Sequence, residues 1–147
     1  MLGVPYRFVT LTEHKFFGVT KIWLGDKQIN ITDKEKTIVD CLDHPEYCGG
    51  IAEAAKGLQN SFEDKIDLDK LTRYARKMQS GVIFKRLGYL AEVLELPVEN
   101  YLHVWREEIS AGYSLLDPTL EKTGKHNSSW HLRINVSEQR LTSWRTH

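Results

Sequence analysis

The chain has 147 residues, 41% of them apolar and 27% charged, with a formal net charge of zero. That length is one ordinary domain and enough for a self-sufficient core, and the composition is globular rather than disordered. No apolar run approaches the ~20 residues needed to span a bilayer. The N-terminus "MLGVPYRFVTL" lacks the charged region, apolar stretch and cleavage site of a secretory signal, so the expected location is the cytoplasm.

The first thirty residues read as β structure. "YRFVTL" is rich in β-branched and aromatic residues, and "EHKFFG" follows as a turn carrying Phe16 and Phe17 inward. "VTKIWLGDKQINIT" reads as a hairpin turning at Gly25-Asp26-Lys27.

The middle reads as helical. Thr32 and Glu35 form a T-x-x-E capping box for a helix from Asp33. Ile38, Val39, Cys41 and Leu42 supply its buried stripe, and His44-Pro45 ends it. Gly49-Gly50 turns the chain into a short helix with Ile51, Ala54, Ala55 and Leu58 on one face. "DLDKLTRYARKMQ" is the clearest helix, with Leu68, Leu71, Ala75 and Met78 on one side and aspartates at its N-terminus, where the helix dipole favours them. "GVIFKRLGYLAEVLEL", stopped by Pro97, and "VENYLHVWREEIS" are two more helices.

The end returns to β structure: "YSLL", a polar loop, then the alternating "WHLRINV". In that last segment Trp130, Leu132, Ile134 and Val136 face one way and His131, Arg133 and Asn135 the other. "SEQRLTSWRTH" reads as a tail with Trp144 available to dock it. The expected fold is α+β: a mostly antiparallel sheet, built from N- and C-terminal strands, packed on a central group of about five helices. The expected boundaries are one domain over 1–136, with β structure at 5–31, helices at 33–110 and β structure at 113–136, and a tail at 137–147.

Two chemical readings of the 31–50 region are weak. Cys41, His44 and Cys48 are of ligand type, but their C-x2-H-x3-C spacing offers no fourth ligand for structural zinc. A buried free cysteine at 41 serves as a small hydrophobe, and both thiols are expected to stay reduced. Glu63-Asp64-Lys65 formally matches a nuclease (D/E)-x-K string, but in a loop, and a nuclease would need Asp33, Asp40 and Asp43 to converge on it. No nucleophile elbow and no glycine-rich phosphate loop is present. No catalytic residue, metal or cofactor is expected.

The net charge is zero by cancellation. Residues 70–86 contain six basic residues and no acidic one, between acidic blocks on either side. Lys70, Arg73 and Lys77 are spaced to share one helix face, Arg76 lies beside them, and Lys85 and Arg86 begin the next helix. Charge runs are usually solvated faces, but acidic residues normally intermix on such faces. These six residues are therefore the candidate binding surface for an anionic partner, giving affinity rather than sequence specificity.

Several motifs also carry a resemblance. "INITDKEKTIVDCLDHPEYCGGIAEAAKGL" resembles the D-x-E-[KR]-T-[IL]-V-D-x-L…P-E-x-x-G-G-I-x-E segment of the AbiEi-type antitoxins, which belong to abortive-infection (type IV) toxin–antitoxin systems. "YARKMQSGVIFKRLGYLAEVL" is similar to that family's R-L-G-Y-L helix pair, and "YSLLDPTLEKTGKHNSSWHLRINV" to its L-D-P…G…N-x-x-W-x-L-x-x-N-V ending. The match runs from about Tyr6 to Val136. It implies the family's C-terminal antitoxin domain, without the N-terminal winged helix that binds operator DNA. The partners so implied are the toxin side of a nucleotidyltransferase-type system, reached directly or indirectly, and nucleic acid or a separate winged-helix protein. Phage defence and transcriptional regulation are the corresponding roles. Asp33, Glu35, Thr37, Asp40, Gly49 and Gly50 belong to the family pattern and are expected to be structural.

Overall fold

The computed structural model describes Lys15 and residues 17–146. The strand expected in "YRFVTL" and the inward placement of Phe16 lie outside the described residues. Phe17 packs against the core and meets Tyr74 edge-on, with ring centroids 4.8 Å apart.

Strands β1 (Val19–Leu24) and β2 (Lys27–Thr32) form an antiparallel hairpin. Leu24 pairs with Lys27, so the turn is the two residues Gly25-Asp26, and Gly25 takes a left-handed φ of 64°. A glycine there gives the turn the twist that two-residue hairpins need. The hairpin's base is tied to the helices by the Asp33 amide, which donates to the Gly18 carbonyl at 2.9 Å. Its tip is open, and Trp23 is 66% exposed.

Helix α1 (Lys34–Asp43) starts one residue later than the capping box implied. Asp33 is the cap, its Oδ1 accepting from the Lys36 amide at 2.9 Å. Thr32 is still held in the β ladder opposite Val19, so it cannot cap, and its hydroxyl pairs with that of Thr37 at 3.1 Å. Glu35, freed from the box, accepts from the Asp67 amide at 3.0 Å, at the start of α3.

Pro45–Cys48 form a 3-10 turn, and Gly49 and Gly50 both have positive φ. Helix α2 (Ile51–Glu63) then begins with a distant cap: the Ile51 amide donates to Asp117 Oδ2 at 3.1 Å. A side chain on Gly50 would press against that carboxylate. Helices α3 (Leu68–Lys77), α4 (Gly81–Val93) and α5 (Glu99–Glu107) follow. Helix α1 packs on α2, α3 and α4, while α5 packs on α4. Helix α4 is the axis of this group, and every residue from Ile83 to Ala91 is buried.

Strands β3 (Ser114–Leu115), β4 (Lys125–Asn127) and β5 (Leu132–Ile134) form a second sheet in the order β3-β5-β4. The β3–β5 pair is parallel and the β4–β5 pair antiparallel. The α+β class therefore stands, but the expected single sheet does not: among the described residues the hairpin and the C-terminal strands are separate sheets. The reason lies in anchoring. The hairpin is held at α1, whereas β3 is held by side chains of α4, as shown below. Trp130 and Leu132 are fully buried beneath the second sheet, while Ile134 is half-buried.

Residues 137–146 belong to the domain rather than trailing from it. Ser137 caps α6 (Glu138–Thr142), Leu141 is fully buried, α6 packs on α2, and Trp144 sits against the core. No helix among the described residues is long and apolar enough to cross a membrane.

Candidate functional site

Helix α3 owes its orientation to its apolar stripe. Leu71 and Ala75 are fully buried and Met78 nearly so, which leaves Arg73, Arg76 and Lys77 exposed on the other side. Asp67 caps the helix by accepting from the Lys70 amide at 3.0 Å.

The four basic residues of α3 differ in how they are held. Lys70 reaches back to α1, with Nζ 3.1 Å from Asp33 Oδ2 and 3.5 Å from Glu35 Oε1. The hydrogen bond to Asp33 raises the Lys70 pKa. Burial alone would raise the Asp33 carboxyl, but the Lys36 amide, the Tyr74 hydroxyl and Lys70 outweigh it and hold Asp33 below its usual range. Arg76 pairs with Glu108, Nε to Oε2 at 2.6 Å. Lys77 Nζ lies 4.8 Å from the centre of the Phe17 ring. Arg73 is exposed and has no ion-pair partner among the described residues.

Arg76 also stands between two open hollows. One of about 400 Å³ runs past Gln79, Gly81 and Phe84 to Glu108, and the other of about 570 Å³ runs past Arg73 and Asp69 to Tyr101. The second is a furrow between α3 and α5, and the first lies where α3 passes into α4. The expected basic face thus exists, but it consists of Arg73, Arg76 and Lys77, with Lys70 at its margin.

Lys85 and Arg86 do not join it. Lys85 is fully buried, and its Nζ donates to the Gly112 carbonyl at 2.9 Å and to Ser114 Oγ at 3.0 Å. Arg86 is also buried. Its Nη1 donates to the carbonyls of Leu42 (2.7 Å) and Asp43 (3.2 Å), and its Nη2 to that of Leu115 (3.0 Å). Burial lowers the pKa of both. Their positive charge serves carbonyl groups at the end of α1 and along β3, which would otherwise be buried without donors.

The metal and nuclease readings do not assemble. Among the described residues no group of three or more His, Cys, Asp and Glu side chains is placed to hold a metal ion. Cys41 and Cys48 are free thiols, and Cys48 Sγ donates to the Pro45 carbonyl at 3.4 Å. His44 turns away to stack on Tyr47. The three aspartates are engaged separately. Asp33 takes the Tyr74 hydroxyl at 2.7 Å, Asp40 takes Lys36 Nζ at 2.6 Å, and Asp43 takes Lys15 Nζ and Ser80 Oγ, each at 2.8 Å. Glu63 closes α2 and Asp64 follows as its cap.

The motif residues instead buttress one another. Asp33 meets Tyr74, and the backbone of Leu42 and Asp43 meets Arg86. The Gly50–Ile51 turn meets Asp117, which in turn is held by Asn135. Gly88 and Glu92 meet Trp130, whose own amide bonds Asn127 at 2.9 Å. Thr37 donates to the Asp33 carbonyl at 3.1 Å within the first turn of α1. Asp117 serves α2 from 66 residues away, a pairing that no local spacing signals.

No protein-family model matches the chain, and neither the curated proteins nor the solved structures contain a significant match.

Proposed function

We propose that this chain is an antitoxin-like effector domain that works by contact rather than catalysis, with the exposed side of α3 as its working surface. The single observation behind this reading is the mutual contact of the motif residues. Three segments, around 33–50, 74–92 and 117–136, touch one another at the positions on which the resemblance to AbiEi-type antitoxins rests. That mutual contact is what supports the reading. On this reading the domain counteracts a nucleotidyltransferase-type toxin, and any role in transcription depends on a DNA-binding partner.

Arg73, Arg76 and Lys77 beside the α3–α5 furrow are the contact residues. A nucleic-acid regulator acting through the same face is the second reading, favoured by the absence of acidic residues from 70 to 86. It is the weaker of the two, because Lys85 and Arg86 are consumed inside the fold and Lys70 and Arg76 are paired with carboxylates.

Co-expression with a nucleotidyltransferase-type toxin tests the proposal. The wild-type chain is expected to restore growth, and Arg73→Glu with Lys77→Glu to lose that rescue while keeping its urea midpoint. A folded double variant that rescues fully places the contact elsewhere, and a wild-type chain that never rescues overturns the antitoxin reading. Titration with duplex DNA at two salt concentrations separates the second reading, since phosphate contacts weaken steeply as salt rises.

A further inference from the structure

Three rings distant in sequence meet on the outer face of the C-terminal sheet. Tyr113 immediately precedes β3 and is 50% exposed. Its ring meets that of His126 edge-on, with centroids 4.7 Å apart. It lies beside His131 at 5.4 Å, with the two planes inclined by only 35°. The strand order causes the meeting. β5 lies between its neighbours, with Ser114 paired to Leu132 on one side and His126 paired to Arg133 on the other. Side chains alternate along a strand, so the register that buries Leu132 puts Arg133 on the opposite face with its partner His126, and the His131 ring, in the turn just before β5, meets Tyr113 there.

Arg133 pairs with His126 across the ladder and shares its face, whereas Lys125 pairs with Ile134 and so belongs to the opposite face. Residues 122–137 hold no acidic residue, and His126 is exposed. Beneath them the buried Lys85 amine grips Gly112 and Ser114, the residues either side of Tyr113, and has no carboxylate partner among the described residues.

His131 carries two costs at once. It is a non-glycine residue with φ of 52°, and its Nδ1 is buried with no hydrogen-bond partner among the described residues. Such costs gather at positions held for function rather than stability.

We propose that Tyr113, His126 and His131, with Arg133 beside them, form a stacking platform for single-stranded nucleic acid. Every unpaired base offers a flat π-face, rings stack on it without reading its identity, and Arg133 is placed to hold a phosphate. A duplex keeps its bases stacked internally and offers the rings nothing. An acidic protein segment would satisfy Arg133 but leave the rings unused. The platform shares no residue with the α3 face.

Fluorescence anisotropy of the full chain tests this with labelled oligo-dT, oligo-rU and a hairpin duplex of equal charge. Both single strands are expected to bind more tightly than the duplex. Tyr113→Ala should weaken them about tenfold, Tyr113→Phe should keep most of the affinity, and Arg133→Glu should weaken them at least as much as Tyr113→Ala. Urea midpoints of the variants confirm folding, and Arg133→Glu is the alternative reporter if Tyr113→Ala does not fold. Equal affinity for duplex and single strand, or an unaltered affinity in folded Tyr113→Ala, overturns the proposal. So does competition by polyglutamate as effective as that by unlabelled oligo-dT, which would assign the patch to an acidic protein.

Discussion

The indole of Trp130 packs directly on the backbone of Gly88: a Cβ at that position would come within 2.2 Å of the ring. The ring is fully buried, its Nε1 donates to Glu92 one turn along α4, and the Arg106 guanidinium lies 4.5 Å from its centre. One missing side chain therefore sets the distance between α4 and the C-terminal sheet.

Gly88→Ala weighs two opposed effects. Alanine improves helix propensity by about 1 kcal/mol. Forcing a methyl group against a buried, hydrogen-bonded ring costs typically 1–3 kcal/mol and more where the neighbour cannot shift. The clash is the larger effect here, so the variant is expected to lose about 2 kcal/mol in urea denaturation. A variant as stable as the wild type would mean that the indole is free to move.

Asp33 joins α1 and α3 through one carboxylate. Asp33→Ala removes a helix cap, worth about 1 kcal/mol, together with the Tyr74 and Lys70 contacts, so a loss of about 2 kcal/mol is expected at neutral pH. The pH dependence follows from the lowered pKa. A carboxyl lowered by folding stabilises the native state above its unfolded value, near 3.8. That contribution disappears as pH falls through the lower folded value. The stability gap between wild type and Asp33→Asn should therefore be open at pH 7 and narrow steadily below pH 3.8. A gap independent of pH would assign the effect to shape rather than charge.

Arg73 and Arg86 should respond oppositely to substitution. Arg86→Ala strips the donors from three carbonyl groups, and losing one partner of a buried charged network costs about 3–5 kcal/mol. Arg73→Ala touches only solvent-facing charge and should change stability by less than about 0.5 kcal/mol. Parallel urea titrations check both. Comparable effects at the two positions would contradict the burial of one and the exposure of the other.

Much of the helical region was legible because its signals are local. Leu71, Ala75 and Met78 recur at helical spacing and are buried, and Pro45 with two glycines marks the break between α1 and α2. The alternation from Trp130 to Val136 likewise picked out the buried Trp130, Leu132 and Val136, though Ile134 is only half-buried. The errors came where two local signals competed or where a distant element intervened. Thr32 has the chemistry of a cap, but strand pairing with Val19 claimed it and passed the role to Asp33.

The basic block shows the same limit more sharply. Spacing placed Arg73 and Lys77 outward correctly, since α3 has one covered side. Lys85 and Arg86 are chemically indistinguishable from them in the sequence. Their fate depended on α4 becoming an axis wrapped on all sides, which no residue within the helix announces.

The amino-acid sequence by itself determined most of the helices and the β1–β2 hairpin, which side of α3 and β5 is apolar, and how the charges are blocked along the chain, because each of these depends on neighbours a few residues away; β4, inside the polar loop, and α6, inside the expected tail, were not among them. The tertiary structure alone decided which cations are spent on buried carbonyls, which carboxylate caps α2, and which rings share a surface. Those outcomes depend on pairings between residues tens of positions apart, where desolvation and close packing, not local preference, set the energy.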